Sequence, residues 1–393
     1  LITGELGPIA RLHPKIKSVA GAQSAGASVV SFNDTAYESY GKRQGDNAPV
    51  GESAAFQYGT SLNALLSSPQ SHKHRLRIGD TTTVFWTEKP TLIENSLADL
   101  LGTGSNAPST TQDPEQREKI ERLLKAVRSG QRFRELGDDT DTPFYILGLA
   151  PNAARLSIRF FHRSTTQDLL EKLHQHQTAL KIVREWTEAK GNRQPDPEFP
   201  AIWQLLRETA RVADEIPPLL GGSLTRAIIE GTPYPEGLYN AIIRRIQADR
   251  TINYLRAATL KAILIRNHNQ TIPDMLDINN IDSAYLLGRL FSALEKTQED
   301  ALGSLNAGIR DKFYASASAT PASVFPRILR TYQHWLPKLS GGAKVNRERL
   351  IQDILSNISP TGFPSQLNLK SQGIFAIGYY HQRKDFFTKK SED

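Results

Sequence analysis

Glu188 and Lys190, separated by one alanine, come nearest in this sequence to a nuclease signature, in which carboxylates hold a divalent ion beside a lysine that meets the scissile phosphate. They fall at the end of a predicted helix, not on a strand beside a second acidic residue, so the spacing does not assemble that chemistry. His72 with His74, and His174 with His176, are each two residues apart. On a helix residues two apart point in different directions, so the second pair makes a poor metal clamp, and both pairs read as surface residues. The chain has no GxxxxGK phosphate loop ending in Ser or Thr, no HExxH, no GxSxG and no His-Asp dipeptide. Ser, His and Asp occur throughout, but no local spacing selects a triad. No catalytic residue, metal ligand or cofactor is assigned.

Binding chemistry is better represented. Residues 236–266 contain Arg244, Arg245, Arg250, Arg256, Lys261 and Arg266 against Glu236 and Asp249. Residues 303–347 contain Arg310, Lys312, Arg327, Arg330, Lys338, Lys344 and Arg347 against Asp311 alone. Such runs can set several cations along a phosphate backbone, each neutralised phosphate releasing a counterion; they can equally be solvated helix faces. Between them, in 312–327, Tyr314 and Phe325 sit among small residues and read either as stacking partners for an unpaired base or as parts of a tight helix junction. Near the start, GAQSAGASVVSFND (21–34) leaves the backbone bare. Gln23, Ser24, Ser28 and Asn33 there are able to exchange hydrogen bonds with a groove edge or phosphate of duplex DNA, with Lys15, Lys17, Lys42 and Arg43 as flanking phosphate anchors. The alternative is a close-packed turn before a buried strand made from Val29, Val30 and Phe32.

The elements that must position these residues divide near residue 191. RIGDTTTVFWTE (77–88) alternates and is rich in Thr, Val and aromatics, and residues 144–163 read as two strands around a Pro-Asn turn. Predicted helices over 91–101 and 114–129 flank a loop over 102–113, and another helix covers 165–190, ended by GNRQPDP. Beyond it almost every segment has apolar residues three or four apart between Gly, Pro or Asn breaks. The helix beginning near Ile281 shows a broad apolar face of Ile281, Tyr285, Leu286, Leu290, Phe291 and Leu294, which makes it central to a bundle. The predicted fold is α+β: a sheet-containing platform over 1–190, a linker over 191–197 and a helical bundle over 198–393.

Composition narrows the class further. The 393 residues are 39% hydrophobic, with a net charge of +7 that suits a polyanionic partner. The absence of cysteine excludes a disulfide framework, cysteine-ligated zinc, iron–sulfur ligation and thiol catalysis, and fits a cytoplasmic protein. No apolar run reaches the roughly 20 residues that span a bilayer. The sequence opens on LITGELGPIARLHPKIKSV with Met275 as its one methionine, which reads as the interior of a folded unit whose amino-terminal portion is missing.

GAQSAGASVVSFN, AYESYGK, IGDTTTVFWTE, GGSLTRAIIEGTPYPEGLYNAIIRRIQAD, YLRAATLKAILIRN, AYLLGRLFSALEKTQEDAL, FYASASATPASVFPRILR and GIFAIGYYHQRKDFF together resemble the large subunit of the type I-C CRISPR interference complex, Cascade. The resemblance runs almost end to end, but the family's amino-terminal region is absent. It implies a non-enzymatic subunit of a guide-RNA-containing complex that reads a protospacer-adjacent motif in duplex DNA, promotes R-loop formation and presents the opened target to a helicase-nuclease. It also implies neighbouring Cascade subunits and the displaced single strand as partners, with no membrane. In this family the helical part can be made separately from an internal start, for which Met275 is a candidate. Two other classes remain open: a nuclease whose carboxylates meet only in three dimensions, and a scaffold that uses Arg244 and Arg245 against acidic subunits.

Overall fold

The computed structural model describes residues 1–67, 74–78, 80–91, 94, 97, 101, 141–188, 191, 194–303, 306–359 and 361–388. The predicted loop over 102–113 and helix over 114–129 lie outside these residues, and of the helix predicted over 91–101 only residues 91, 94, 97 and 101 are described. The fold is α+β. Two compact units form, one from residues 1–175, 201–206 and 216–232, the other from 176–200, 207–215 and 233–393. The composition change near 191 predicts one crossing between them; the chain makes several.

The first unit is built on a six-stranded mixed sheet of order β1-β2-β6-β5-β4-β3. Its strands are β1 (Lys15–Ile16), β2 (Ala27–Ser28), β3 (Arg75–Ile78), β4 (Thr81–Thr87), β5 (Pro143–Asn152) and β6 (Arg155–Thr165). All neighbours are antiparallel except β2 and β6. The stretch 77–88 is a hairpin and not one strand, because the chain turns at Asp80 and returns with Ile78 opposite Thr81. The hairpin read over 144–163 is present, its turn moved to Ala153 and Ala154; Ala153 takes a left-handed φ of 53°. At Gly148 a side chain would run into the ring of Phe160, its register partner on β6, so this cross-strand pair needs glycine there. The strand expected from Val29, Val30 and Phe32 does not form. β2 ends at Ser28, the last residue paired with either neighbour, opposite Lys15 on β1 and Arg155 on β6.

One face of the sheet packs Val84, Leu147, Leu149 and Leu156 against Ile16, Ala27 and the helix α1 (Glu52–Ser67), through Leu62 and Leu66. On the opposite face Phe85 and Phe144 stack at 6.2 Å. Helix α2 (Thr166–Leu180) follows β6 directly, and after α3 (Ile202–Arg207) the glycine-containing helix α4 (Pro218–Glu230) packs on β3, β4 and β6.

The second unit contains α5 (Glu236–Asp249), α6 (Tyr254–His268), α7 (Ser283–Leu302), α8 (Ile309–Ala319), α9 (Pro321–Trp335), α10 (Gly341–Ser356) and α11 (Leu369–Asp385). Helix α7 is central as the apolar face predicts, with Tyr285, Leu286, Leu290, Phe291 and Leu294 buried. Ile281 is 77% exposed because the helix starts after it, at an Asp282 cap that accepts from the Ala284 and Tyr285 amides. Helices α7 and α11 meet backbone to backbone: a side chain at Gly288 would overlap the Phe375 carbonyl, and one at Gly378 the Tyr285 carbonyl. Within the stretch 191–197, Asp196 Oδ2 accepts from the Glu185 and Trp186 amides at 2.7 and 2.8 Å.

Candidate nucleic-acid interface

The stretch 21–34 turns on two left-handed glycines, Gly21 at φ 78° and Gly26 at 89°. Gly26 lies against β1, where a side chain would come within 3.0 Å of the Ile16 carbonyl and the Lys15 Cβ. Its bareness therefore serves the chain's own sheet at Gly26. The polar residues of the stretch remain outward: Gln23 and Ser24 stand exposed on a turn closed by the Gly26 amide on the Gln23 carbonyl at 2.9 Å.

Sheet register gathers the remaining candidates of this region. Lys15 lies opposite Ser28 on β1 and β2, Ser28 pairs with Arg155 on β6, and Arg155 pairs with Asn152 on β5, so the four side chains share one row on one face. Asn33 joins them by accepting from Arg155 Nη2 at 2.5 Å, while the Tyr37 ring lies 3.9 Å from that guanidinium. Arg155 is thus held between an amide and an aromatic face, a fixed cation at the centre of the group. Sequence reasoning missed it because its partners are over a hundred positions away; only the pairing of β6 with β2 reveals the row. Lys17 is exposed one residue beyond β1, its amide donating to Asn63 Oδ1 at 2.8 Å. Lys42 and Arg43 are exposed on a turn that Asn47 fastens through the Lys42 carbonyl at 3.2 Å.

The basic runs of the helical unit separate into two populations. Lys261 is 1% exposed, bound to Asp274 at 2.7 Å and to the Lys181 carbonyl, and Arg256 is 6% exposed between Glu208 at 2.8 Å and Asp249 at 2.6 Å. Both are internal counter-ions, which corrects the expectation that they face a phosphate backbone: helix α6 is buried around most of its circumference, leaving no outer face for them. Arg310 turns toward Glu295 at 3.4 Å and Arg347 toward Asp300 at 3.1 Å. Arg245 is engaged within its own helix by Asp249 at 2.5 Å, and Arg266 lies over the Tyr234 ring. Exposed are Arg244 on α5, Arg250 at its left-handed C-terminus, Lys312 on α8, Arg327 and Arg330 on α9, and Lys338 just past it. Helix α9 has the cleanest polarity. Pro321, Val324, Phe325, Ile328, Tyr332 and Trp335 are buried at helical spacing, and Ser323, Arg327, Arg330 and His334 line the outside.

The base-stacking reading of Tyr314 and Phe325 is overturned by burial. They are 1% and 0% exposed and stand edge-on to Phe291 at 5.7 and 6.4 Å in the bundle core. Of the small residues around them, Ala317 and Ser318 are buried, and Ala315, Ala322 and Ser323 are exposed. Glu295 sits beside this core; burial raises its carboxyl above the usual range against the opposing pull of Arg310 and Arg383. Of the histidines, His72 lies outside the described residues and His74 faces Glu94 at 3.4 Å. His176 is buried on Tyr234 Oη at 2.7 Å, its pKa lowered to about 3 by desolvation and by Arg266, while His174 points elsewhere. Glu188 is exposed beyond the end of α2, and Lys190 lies outside the described residues. Among the described residues no three His, Asp or Glu side chains come together as metal ligands, and no helix is long and apolar enough to cross a membrane. Met275 is exposed in the segment between α6 and α7.

No curated protein matches the chain. A family model described as CRISPR-associated protein (Cas_Csd1) matches residues 1–387, nearly the whole sequence, across both the sheet unit and the helical unit. On that match the chain belongs to the Cas_Csd1 family of CRISPR-associated proteins.

Proposed function

We propose that this chain is the non-catalytic large subunit of a type I-C RNA-guided surveillance complex, which recognises a protospacer-adjacent motif in duplex DNA, promotes R-loop formation and helps recruit a helicase-nuclease. The observation that carries the reading is the family match over residues 1–387, and the exposed cations agree with it. In such an assembly guide pairing supplies sequence identity, so the protein needs backbone contacts that position the duplex and only a few that read bases. The Lys15, Ser28, Arg155 and Asn33 group is suited to phosphate and groove-edge contacts, and Arg327 and Arg330 to a phosphate backbone. Neighbouring subunits and guide RNA complete the particle, and bond cleavage is left to the helicase-nuclease.

The test is reconstitution of the complex with guide RNA and a target duplex carrying 2-aminopurine beside the motif. Fluorescence is expected to rise only when the motif is present, and with magnesium both strands should stay intact until helicase-nuclease is added. Cutting by the complex alone that is lost on a carboxylate substitution, or opening indifferent to the motif, would overturn the reading.

A further inference from the structure

Among the described residues, the sheet face that packs on α1 is only partly covered. Register sets three cross-strand rows there: Thr82, Leu149 and Ile158; Val84, Leu147 and Phe161; and Trp86, Tyr145 and Arg163. Helix α1 and β1 enclose Val84, Leu147 and Leu149, while Ile158 is 52% and Phe161 55% exposed and Trp86 and Tyr145 are half-buried.

The uncovered part is a stack. The Trp86 and Tyr145 rings lie 5.4 Å apart and 11° from parallel, and Phe161 stands 6.5 Å from Trp86. The exposed Arg163 guanidinium lies 5.7 Å from the Tyr145 ring, extending the row with a cation. Tyr145 Oη donates to Glu88 Oε1 at 2.7 Å, which fixes the phenol, and that bond is the largest cause raising its pKa.

We propose that this aromatic row binds an unpaired nucleobase of a single nucleic-acid strand, with the base on the open Phe161 ring and Arg163 taking the neighbouring phosphate. An apolar side chain of a partner protein would need neither the parallel rings nor a cation in line with them. A base uses both, since every base offers a π-face and carries a phosphate beside it. Rings presented on an open β-sheet suit this task because the strands hold them at fixed spacing. The proposal rests on the nucleic-acid reading above, but concerns a site on the sheet unit remote in sequence from the arginines of α9.

The test compares the full chain with its Phe161→Leu and Phe161→Trp variants, by anisotropy, on labelled oligothymidylate, labelled oligouridylate and a labelled duplex. Phe161 is largely exposed, so both variants should fold, and thermal melts check this. Phe161→Leu keeps the apolar surface but removes the ring. It is expected to weaken single-strand binding by about 5- to 150-fold while duplex binding holds, and Phe161→Trp should retain affinity. Loss on oligothymidylate alone assigns the site to DNA, and loss on oligouridylate alone assigns it to RNA. Equal single-strand binding by Phe161→Leu and the parent, as a site for an apolar peptide would give, overturns the proposal. Absence of binding to any of the three oligonucleotides by the parent itself refutes the broader nucleic-acid reading, and the proposal with it.

Discussion

Exchanging Arg327 and Arg330 together for glutamine, against Lys261→Met as a comparator, separates the two populations of cations by two different observables. The two arginines stand exposed on the outer face of α9, the Arg327 guanidinium 5.3 Å from the Phe313 ring, and among the described residues neither is in an ion pair. Losing two phosphate contacts lowers the slope of log affinity against log salt by about 1.8 on duplex, or about 1.4 on a single strand. Between about 50 and about 200 mM salt the assembled complex should then lose about twelvefold less affinity for target duplex than the parent. Melting should not change. Lys261→Met does the reverse. It breaks a pair whose ammonium is buried, a class of change that costs about 3–5 kcal/mol, and the lower end applies because Asp274 is one-third exposed and keeps Lys181 at 2.6 Å. A loss of about 3 kcal/mol lowers the melting temperature by about 6–12 °C in a unit of this size while the salt slope holds. Anisotropy titrations across the salt range and calorimetric melts read the two quantities. A slope unchanged in the arginine variant, or flattened by Lys261→Met, would refute the division of the cations into outer and inner sets.

Two further outcomes follow from the helical unit. His176 and His381 both have pKa values near 3, lowered chiefly by burial, against 6.5 in the unfolded chain; the unfolded state therefore binds more protons between these values, and stability falls as pH drops from about 6.5 toward 3. Each histidine contributes a slope of about 1.4 kcal/mol per pH unit in that window, so urea melts from neutral pH to pH 5 should show a shallower decline for His381→Gln than for the parent, and equal slopes would refute the assignment. Gly288→Ala drives a methyl into the Phe375 carbonyl on α11 and is expected to cost about 1–3 kcal/mol or more, read as a lower melting temperature with the arginine-dependent salt slope intact.

Much of the fold is legible in local pattern. The β5–β6 hairpin follows from β-branched and aromatic runs either side of a turn, and helices α4 to α7, α9 and α10 follow from apolar residues three or four apart between breakers. What local pattern misreads is pairing. Residues 77–88 look like one alternating strand because both arms of the hairpin alternate, and Val29, Val30 and Phe32 look like a strand though pairing on both sides of β2 stops at Ser28. Strand length is decided by pairing, and one of the two partners of β2 is more than a hundred residues away.

The site was legible wherever a cation's helix declares its own faces. Charge runs alone put Lys261 and Arg330 in one class, but their helices differ in a way the sequence carries. YLRAATLKAILI is apolar all round, and a helix apolar all round is buried, so its two cations must find carboxylates inside: Arg256 does so at Glu208 and Asp249, Lys261 at Asp274. PASVFPRILRTYQHW has one apolar stripe, and Arg327 and Arg330 fall outside it. Periodicity is thus a better guide to a phosphate-facing arginine than charge density. No such guide exists for Arg155, whose position is set by a turn at Ala153, a parallel pairing with Ser28 and a bond to Asn33. A pocket of cations on a helix is written in a window of fifteen residues; a cation made rigid by three distant strands is written only in the sheet.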